Sequence, residues 1–376
     1  MSTDKYIQAI DPIRFSAVSC RAEHLVPIST KYHISKLLTQ NILYCAYHGA
    51  KSISEIADVV GVPTSLAEKE IDLLCKNGFM ERVSKHDVLT KIFISDLSVE
   101  TSEDMHKIYM QYAQIVCERY VPQIVSAISD ILTTKAVYVP ANDQNFLLYT
   151  LVTLACSQKL RIAPDVANTL IKSIDGSEYF VNAVIDRDHP LSFDEKMYHH
   201  YGDEFVQTYR HIGKFPLATW KYDTFYDDRK NHWHKLFISD FLNLYHYLKG
   251  NIENCPEHTE IFQRLHHNGL LMSEHPNVVV TTLSKEELLN LLPAISDELL
   301  ALNDQLGQQI YETAKSQYPP HIRPIFQALC KNALASSDVV VRVLGQCLSD
   351  GILHPLKECQ RQTVNMIVFC DVMPQS

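Results

Sequence analysis

Glycine and proline are scarce in this chain. With 11 and 16 of them in 376 residues, long flexible linkers and low-complexity tracts are excluded. Long apolar runs are missing as well. A membrane span needs ~20 consecutive apolar residues. The best stretch, Asn145 to Cys156, is shorter and reads as a buried helix. The start of the chain, MSTDKYIQAIDPIRF, lacks an apolar h-region, so a cytoplasmic location and no membrane partner are expected. None of the ten cysteines falls in C-x-x-C spacing. They read as reduced thiols, and Cys117, Cys156 and Cys330, in apolar helical contexts, read as inert. There is no G-x-G-x-x-G, no P-loop, no H-E-x-x-H and no G-x-S-x-G. No catalytic residue, resident metal or cofactor is therefore expected, and the chain does not read as an enzyme. Positive charge is short too: 34 Lys and Arg against 44 Asp and Glu give a net charge of −10. That disfavours non-specific nucleic-acid binding over the whole surface, but not a local basic face.

What the chain does have is a patterned stretch from Ser52 to Met80. Ser52 and Glu55 form an S-x-x-E capping box, which starts a helix by satisfying orphan backbone N–H groups. Ile53, Ile56, Ala57 and Val60 give that helix an apolar face, and Gly61 stops it. Val62 plugs the turn, and Pro63, Thr64 and Ser65 open the next helix. Ala67, Ile71 and Leu74 stripe the second helix, and Asn77-Gly78 ends it. The predicted core is Ile56, Val60, Val62, Ala67, Ile71, Leu74 and Phe79. The run from Glu81 to Ile94, polar at Ser84-Lys85-His86-Asp87, carries a hairpin signal.

Over residues 30–97 these features resemble the winged helix-turn-helix of bacterial transcription regulators of the MarR, ArsR and IclR type. The resemblance implies a recognition helix over Thr64 to Lys76 and a wing in the hairpin. Lys51, Thr64, Ser65, Lys69, Lys76, Arg82 and Lys85 are then the candidate DNA contacts. The stretch is also similar to the N-terminal dimerisation domain of small-molecule O-methyltransferases. That reading requires a glycine-rich S-adenosylmethionine loop downstream, and none exists.

In chain order, residues 1–30 read as irregular or mixed, and a helix is expected from Ser29 to about His48. Asp96 to Glu103 reads as a polar link. Asp104 to Leu132 reads as one helix or two, broken at Pro122. A strand is expected at Ala136 to Val139, and helices at Phe146 to Ser157 and Pro164 to Ile174. Further strands are expected at Tyr179 to Ile185, Tyr198 to Phe205 and Leu217 to Tyr226, then a helix from Asn231 to Leu248. The divisions are 1–97, 98–230, 231–285 and 286–376. Three segments recur in one order. Asn77-Gly78-Phe79-Met80 returns as Asn268-Gly269-Leu270-Leu271, Tyr120-Val121-Pro122 as Tyr318-Pro319-Pro320, and Val181 to Ile185 as Val364 to Val368, at offsets of 191, 198 and 183. A diverged tandem duplication accounts for the order; chance recurrence of Asn-Gly after an amphipathic helix is the alternative. The fold class read from these patterns is mainly α with small β-sheets (α+β). It carries a winged helix at the N-terminus and a degenerate winged-helix-like unit in the C-terminal half.

Two functions follow. The preferred one is a winged-helix regulator that binds double-stranded DNA, with a C-terminal region that senses a small-molecule effector or mediates assembly. The alternative is a non-catalytic scaffold whose winged helices dock a protein partner or a second copy. Three carboxylates, Glu68, Glu70 and Asp72, on the expected recognition helix feed that alternative. Histidines and aromatics concentrate further on, and Tyr198, His200, Trp220, Tyr222 and Trp233 are candidates for an effector pocket. Plain packing, with rings buried and polar tips wetted, is the preferred account of them.

Overall fold

The computed structural model describes residues 14–22, 34, 36–134, 136–156, 171–172, 178–186, 217–220, 238–248, 250–281, 283, 287, 290–291, 295–331, 337–355, 357 and 366–369. The first half opens with β1 (Arg14–Ala22) and α1 (Leu37–Cys45). Then come β2 (Lys51–Ser52), α2 (Ile53–Val60), α3 (Thr64–Lys76), β3 (Met80–Arg82), β4 (Asp87–Thr90) and β5 (Phe93–Ser95). The capping box forms as the sequence predicts. The Ser52 N–H donates to Glu55 Oε2 at 2.8 Å, and the Glu55 N–H donates to Ser52 Oγ at 3.2 Å. Gly61 ends α2 at φ 72°, in the left-handed region. The hairpin tip is tied by Ser84 Oγ, which accepts from the N–H groups of His86 and Asp87. Strands β2, β4 and β3 make one antiparallel sheet, and Thr90 anchors it to α1 through Leu43 O (2.6 Å) and Ala46 O. Ile56, Val60, Ala67, Ile71, Leu74 and Phe79 are buried as expected. Val62 is the exception and stays half-exposed in the turn.

After β5 the chain runs through α4 (Val99–Arg119), α5 (Val121–Thr133), β6 (Val137–Tyr138), α6 (Gln144–Cys156), β7 (Ile171–Lys172) and β8 (Glu178–Asp186). Strand β8 pairs parallel with β5 and antiparallel with β1 and β7. Three expectations need correction here. Residues 14–22 are a strand rather than irregular chain, because β8 supplies a partner far away in sequence. The polar link is short, because Ser98 Oγ accepts from the Thr101 N–H and starts α4 at Val99. Ile171 and Lys172 are extended rather than helical, paired with Tyr179 and Glu178.

The second half supplies β9 (Leu217–Trp220), α7 (Ile238–Leu248), α8 (Thr259–His267), β10 (Leu271–Met272), β11 (His275–Pro276) and β12 (Val279–Thr281). It closes with α9 (Ile295–Ala314), α10 (Arg323–Cys330), α11 (Ser337–Ser349) and β13 (Met366–Phe369). Strand β13 pairs parallel with β12 and antiparallel with β9. This is the connection pattern of β8 with β5 and β1. The helix stops match bond for bond. In the first half, Asn77, Gly78 and Phe79 donate to Leu73, Cys75 and Leu74; in the second, Asn268, Gly269 and Leu270 donate to Arg264, His266 and Leu265. Gly78 and Gly269 sit at φ 77° and 68°, the left-handed stop that only glycine adopts cheaply. Each stop is followed by a hairpin and then by the strand of the parallel pair. The described chain is thus mainly helical with small sheets, and one segment, from helix stop through hairpin to a parallel-paired strand, occurs in both halves. None of its helices is long and apolar enough to cross a membrane.

The chain packs as two units, and neither is one half of the sequence. Unit 1 comprises Met1–Met105, Ile162–Pro190 and Gly307–Lys331; unit 2 comprises His106–Arg161, Leu191–Leu306 and Asn332–Ser376. Unit 1 therefore contains α10 of the second half. There the Tyr318 and Phe326 rings lie 5.0 and 6.0 Å from that of Phe93. His321 Nε2 donates to Thr90 O at 3.0 Å. Unit 2 contains α5, β6 and α6 of the first half. Strand β6 adds to the edge of β12, with Val280 opposite Tyr138, and Asn145 exchanges two hydrogen bonds with the backbone of His354. Its core joins Leu244, Phe262, Leu265, Leu270, Leu271, Val278 and Val280.

Candidate nucleic-acid interface

The seven residues named from sequence all fall on the α2–α3–hairpin region of unit 1, and all are exposed. Helix α3 turns Ala67, Ile71 and Leu74 inward, so Lys69 and Lys76 stand outward by its period. Pro63 caps it without a side-chain acceptor. The first turn thus presents the N–H groups and hydroxyls of Thr64 and Ser65 at the positive end of the helix dipole. Lys51 lies in β2 opposite Val88, and Lys85 lies at the hairpin tip.

Arg82 behaves differently from the other six. Its guanidinium meets Asp72 Oδ1 at 2.5 Å, tying β3 to α3. A phosphate at Arg82 has to compete with a carboxylate already there. Lys91 is likewise paired with Glu81 at 3.0 Å. Lys69, Lys76 and Lys85 have no ion-pair partner among the described residues. Over residues 51–91 six cations face seven carboxylates, so the potential that would gather a polyanion is weak. Cys75, beside this surface, is held by burial above its usual range and stays a thiol.

The corresponding surface of unit 2 is built differently. Between residues 250 and 281 Arg264 is the sole Lys or Arg, against four Glu. Its Nε and Nη2 donate to Asp240 Oδ1 at 3.0 and 2.7 Å, and Asn268 Nδ2 donates to Asp240 Oδ2 at 3.1 Å. Asp240 is fully buried. The half-exposed Arg264 reaches in from the surface and the helix-stop Asn268 is buried beside it, and each satisfies a carboxylate that cannot be left bare. Sequence reading missed it, because Asp240 looks like an ordinary acidic residue in the first turn of α7.

Of the pocket candidates, Tyr198, His200, Tyr222 and Trp233 lie outside the described residues. Trp220 ends β9, opposite Met366. Among the described residues no group of three or more His, Cys, Asp or Glu is arranged to hold a metal. No family model, curated protein or solved structure matches this chain.

Proposed function

We propose that this chain is a winged-helix transcription regulator that reads duplex DNA with the α2–α3–hairpin region of unit 1. A cytoplasmic location goes with this reading. The observation that carries it is the exposed set of Thr64, Ser65, Lys69, Lys76 and Lys85 on one helix and the adjoining hairpin, with the three lysines uncommitted to carboxylates. Helix α3 would enter the major groove with its first turn toward the bases, and Lys85 would grip backbone from the flank. Glu68, Glu70 and Asp72 repel phosphate in general but accept a hydrogen bond from cytosine N4. Binding on this account is modest in strength and strongly dependent on sequence. The α8 surface of unit 2 is not a second reader on this account, because Arg264, the sole Lys or Arg over residues 250–281, is held by Asp240. The expected target is a single asymmetric half-site.

The test is binding of selected genomic fragments followed by fluorescence anisotropy across a salt series. With three phosphate contacts the slope of log K against log salt should be about −3. Replacing Lys69, Lys76 and Lys85 together by Ala should abolish binding at physiological salt. Equal binding by the triple variant, or no fragment bound by the intact chain, overturns the reading.

A second reading has its own observation. Val59, Leu73 and Val83, on α2, α3 and the hairpin, are 49%, 41% and 48% exposed, and exposed large apolar side chains are what a protein-docking face presents. On that reading the α3 face holds a protein. Replacing the three by Ser abolishes that contact and leaves any DNA binding unchanged.

A further inference from the structure

Helix α4 brings Tyr112, Ala113, Val116 and Cys117 into the interior of unit 2, and α11 brings Val339, Val340, Val343, Leu344 and Cys347 there. The spacing on each is that of one helix face. Where these faces meet, Cys117 Sγ lies 3.9 Å from Cys347 Sγ and 3.5 Å from Val343 O. The two cysteines are 230 positions apart in sequence, one in each half of the chain. Two thiols in contact are more than packing requires, since an apolar side chain of similar size would fill either place without reactive sulfur.

We infer that Cys117 and Cys347 are a modification site: a dithiol that hydrogen peroxide closes to a disulfide, locking a helix of the first half to a helix of the second. The sulfur–sulfur contact with Cys117 draws the Cys347 thiol below its usual range, against the opposing effects of burial and of Asp350. Cys347 is therefore the attacking sulfur. Its thiolate takes the distal oxygen of the peroxide; the O–O bond breaks, Cys347 becomes a sulfenic acid, and hydroxide leaves and is protonated to water. The Cys117 sulfur then attacks the sulfenic sulfur, giving up its proton. The S–S bond forms, the S–O bond breaks, and a second water leaves. Two thiols and one peroxide become one disulfide and two waters. Peroxide is small and uncharged and enters when the helices open locally. Closing from 3.9 Å to a bond of about 2.0 Å asks for side-chain rotation and a small helix shift.

Cys330 provides the contrast. Burial pushes its thiol up to about 12, so it stays protonated and is spared. The consequence of closure is mechanical: a cross-link over so long a loop restricts the unfolded chain and raises resistance to unfolding.

The experiment uses the full chain, fully reduced and then titrated with hydrogen peroxide. Remaining thiols are alkylated, the protein is digested without reductant, and peptides are weighed. The expected product is a pair of peptides carrying Cys117 and Cys347, lighter by two hydrogens and separated again by dithiothreitol. Oxidised protein should also unfold at higher urea than reduced protein. Cys117→Ala and Cys347→Ala should each remove both effects. Recovery of Cys117 and Cys347 as separate alkylated peptides, after peroxide has consumed half of the other thiols, overturns the inference. So does their recovery as sulfinic acids. The peptide map of the unsubstituted chain decides the matter alone if a variant fails to fold.

Discussion

At the scale of single residues, two positions carry a definite expectation. Gly307, on α9, approaches the backbone of α10 so closely that a Cβ would lie 2.2 Å from Cys330 O. The atom it would meet is main chain at the C-terminal end of α10, not the tip of a flexible side chain, so Gly307→Ala must shift the backbone of one helix against the other. A loss of about 1–3 kcal/mol is expected in urea unfolding. A change within about 0.5 kcal/mol, the range of an ordinary surface substitution, would show that the helices spread without resistance. The capping box is the second position. The Ser52 backbone N–H and then its hydroxyl hold the Glu55 carboxyl below the usual range. Because the folded value is lower than the unfolded one, the folded chain binds that proton less readily. The contribution is full above the ordinary glutamate range and is lost as pH falls through the folded value. Glu55→Gln, which removes the titrating carboxyl, should therefore flatten the acid limb of stability against pH. An unchanged limb would mean that the cap does not hold in solution.

Elements respond to groups they borrow from far along the chain. The hairpin sheet of unit 1 rests on His321, whose ring lies beside Tyr47 and donates to Thr90 O. Burial pushes His321 below its usual value of 6.5, and Lys91 and His48 add to that, while the Thr90 carbonyl and Glu81 pull it upward. The neutral ring already supplies the N–H that Thr90 accepts, so a second proton adds charge without adding that bond. The unfolded chain takes up the proton first. Stability from this site is whole above the unfolded value of about 6.5 and declines as pH falls below it toward the folded value. His321→Gln keeps a donor and removes the titration. It should erase the part of the pH dependence that sets in below about 6.5, seen by hydrogen exchange at Thr90 and Lys91. Identical profiles for both proteins would place the titrating group elsewhere.

At the scale of the whole molecule, each unit is completed by parts from the other half of the sequence. Unit 1 closes over Phe93 with Tyr318 and Phe326 from the second half. Unit 2 extends its sheet at β12 with β6 from the first. Neither half then holds all of its own core, as in exchanged dimers of separate chains. Cutting between Pro190 and Leu191 should give halves that unfold without cooperativity alone. They should recover a cooperative transition when mixed at equal concentration, with a midpoint that rises with concentration. A first half that is monomeric and unfolds cooperatively by itself would contradict this account.

Local chemistry by itself determined a good part of this protein. Ser52 with Glu55, Gly61 and the two Asn-Gly stops set helix ends through bonds made within a few residues, so they are legible wherever they occur. The stripe of Ala67, Ile71 and Leu74 marked its buried face by period alone, and the seven candidate contacts fell on an exposed surface for the same reason. What needed the tertiary structure was everything decided by a partner on another element. Residues 14–22 became a strand because β8 lies beside them, and Ile171 and Lys172 because Glu178 and Tyr179 do. Arg82 is committed by Asp72, Arg264 by Asp240, and Cys117 gains its meaning from Cys347. Periodicity reports which way a side chain faces along its own element. It carries no information about which charge or sulfur on another element will be brought opposite, because pairing between elements is settled by packing of the whole chain.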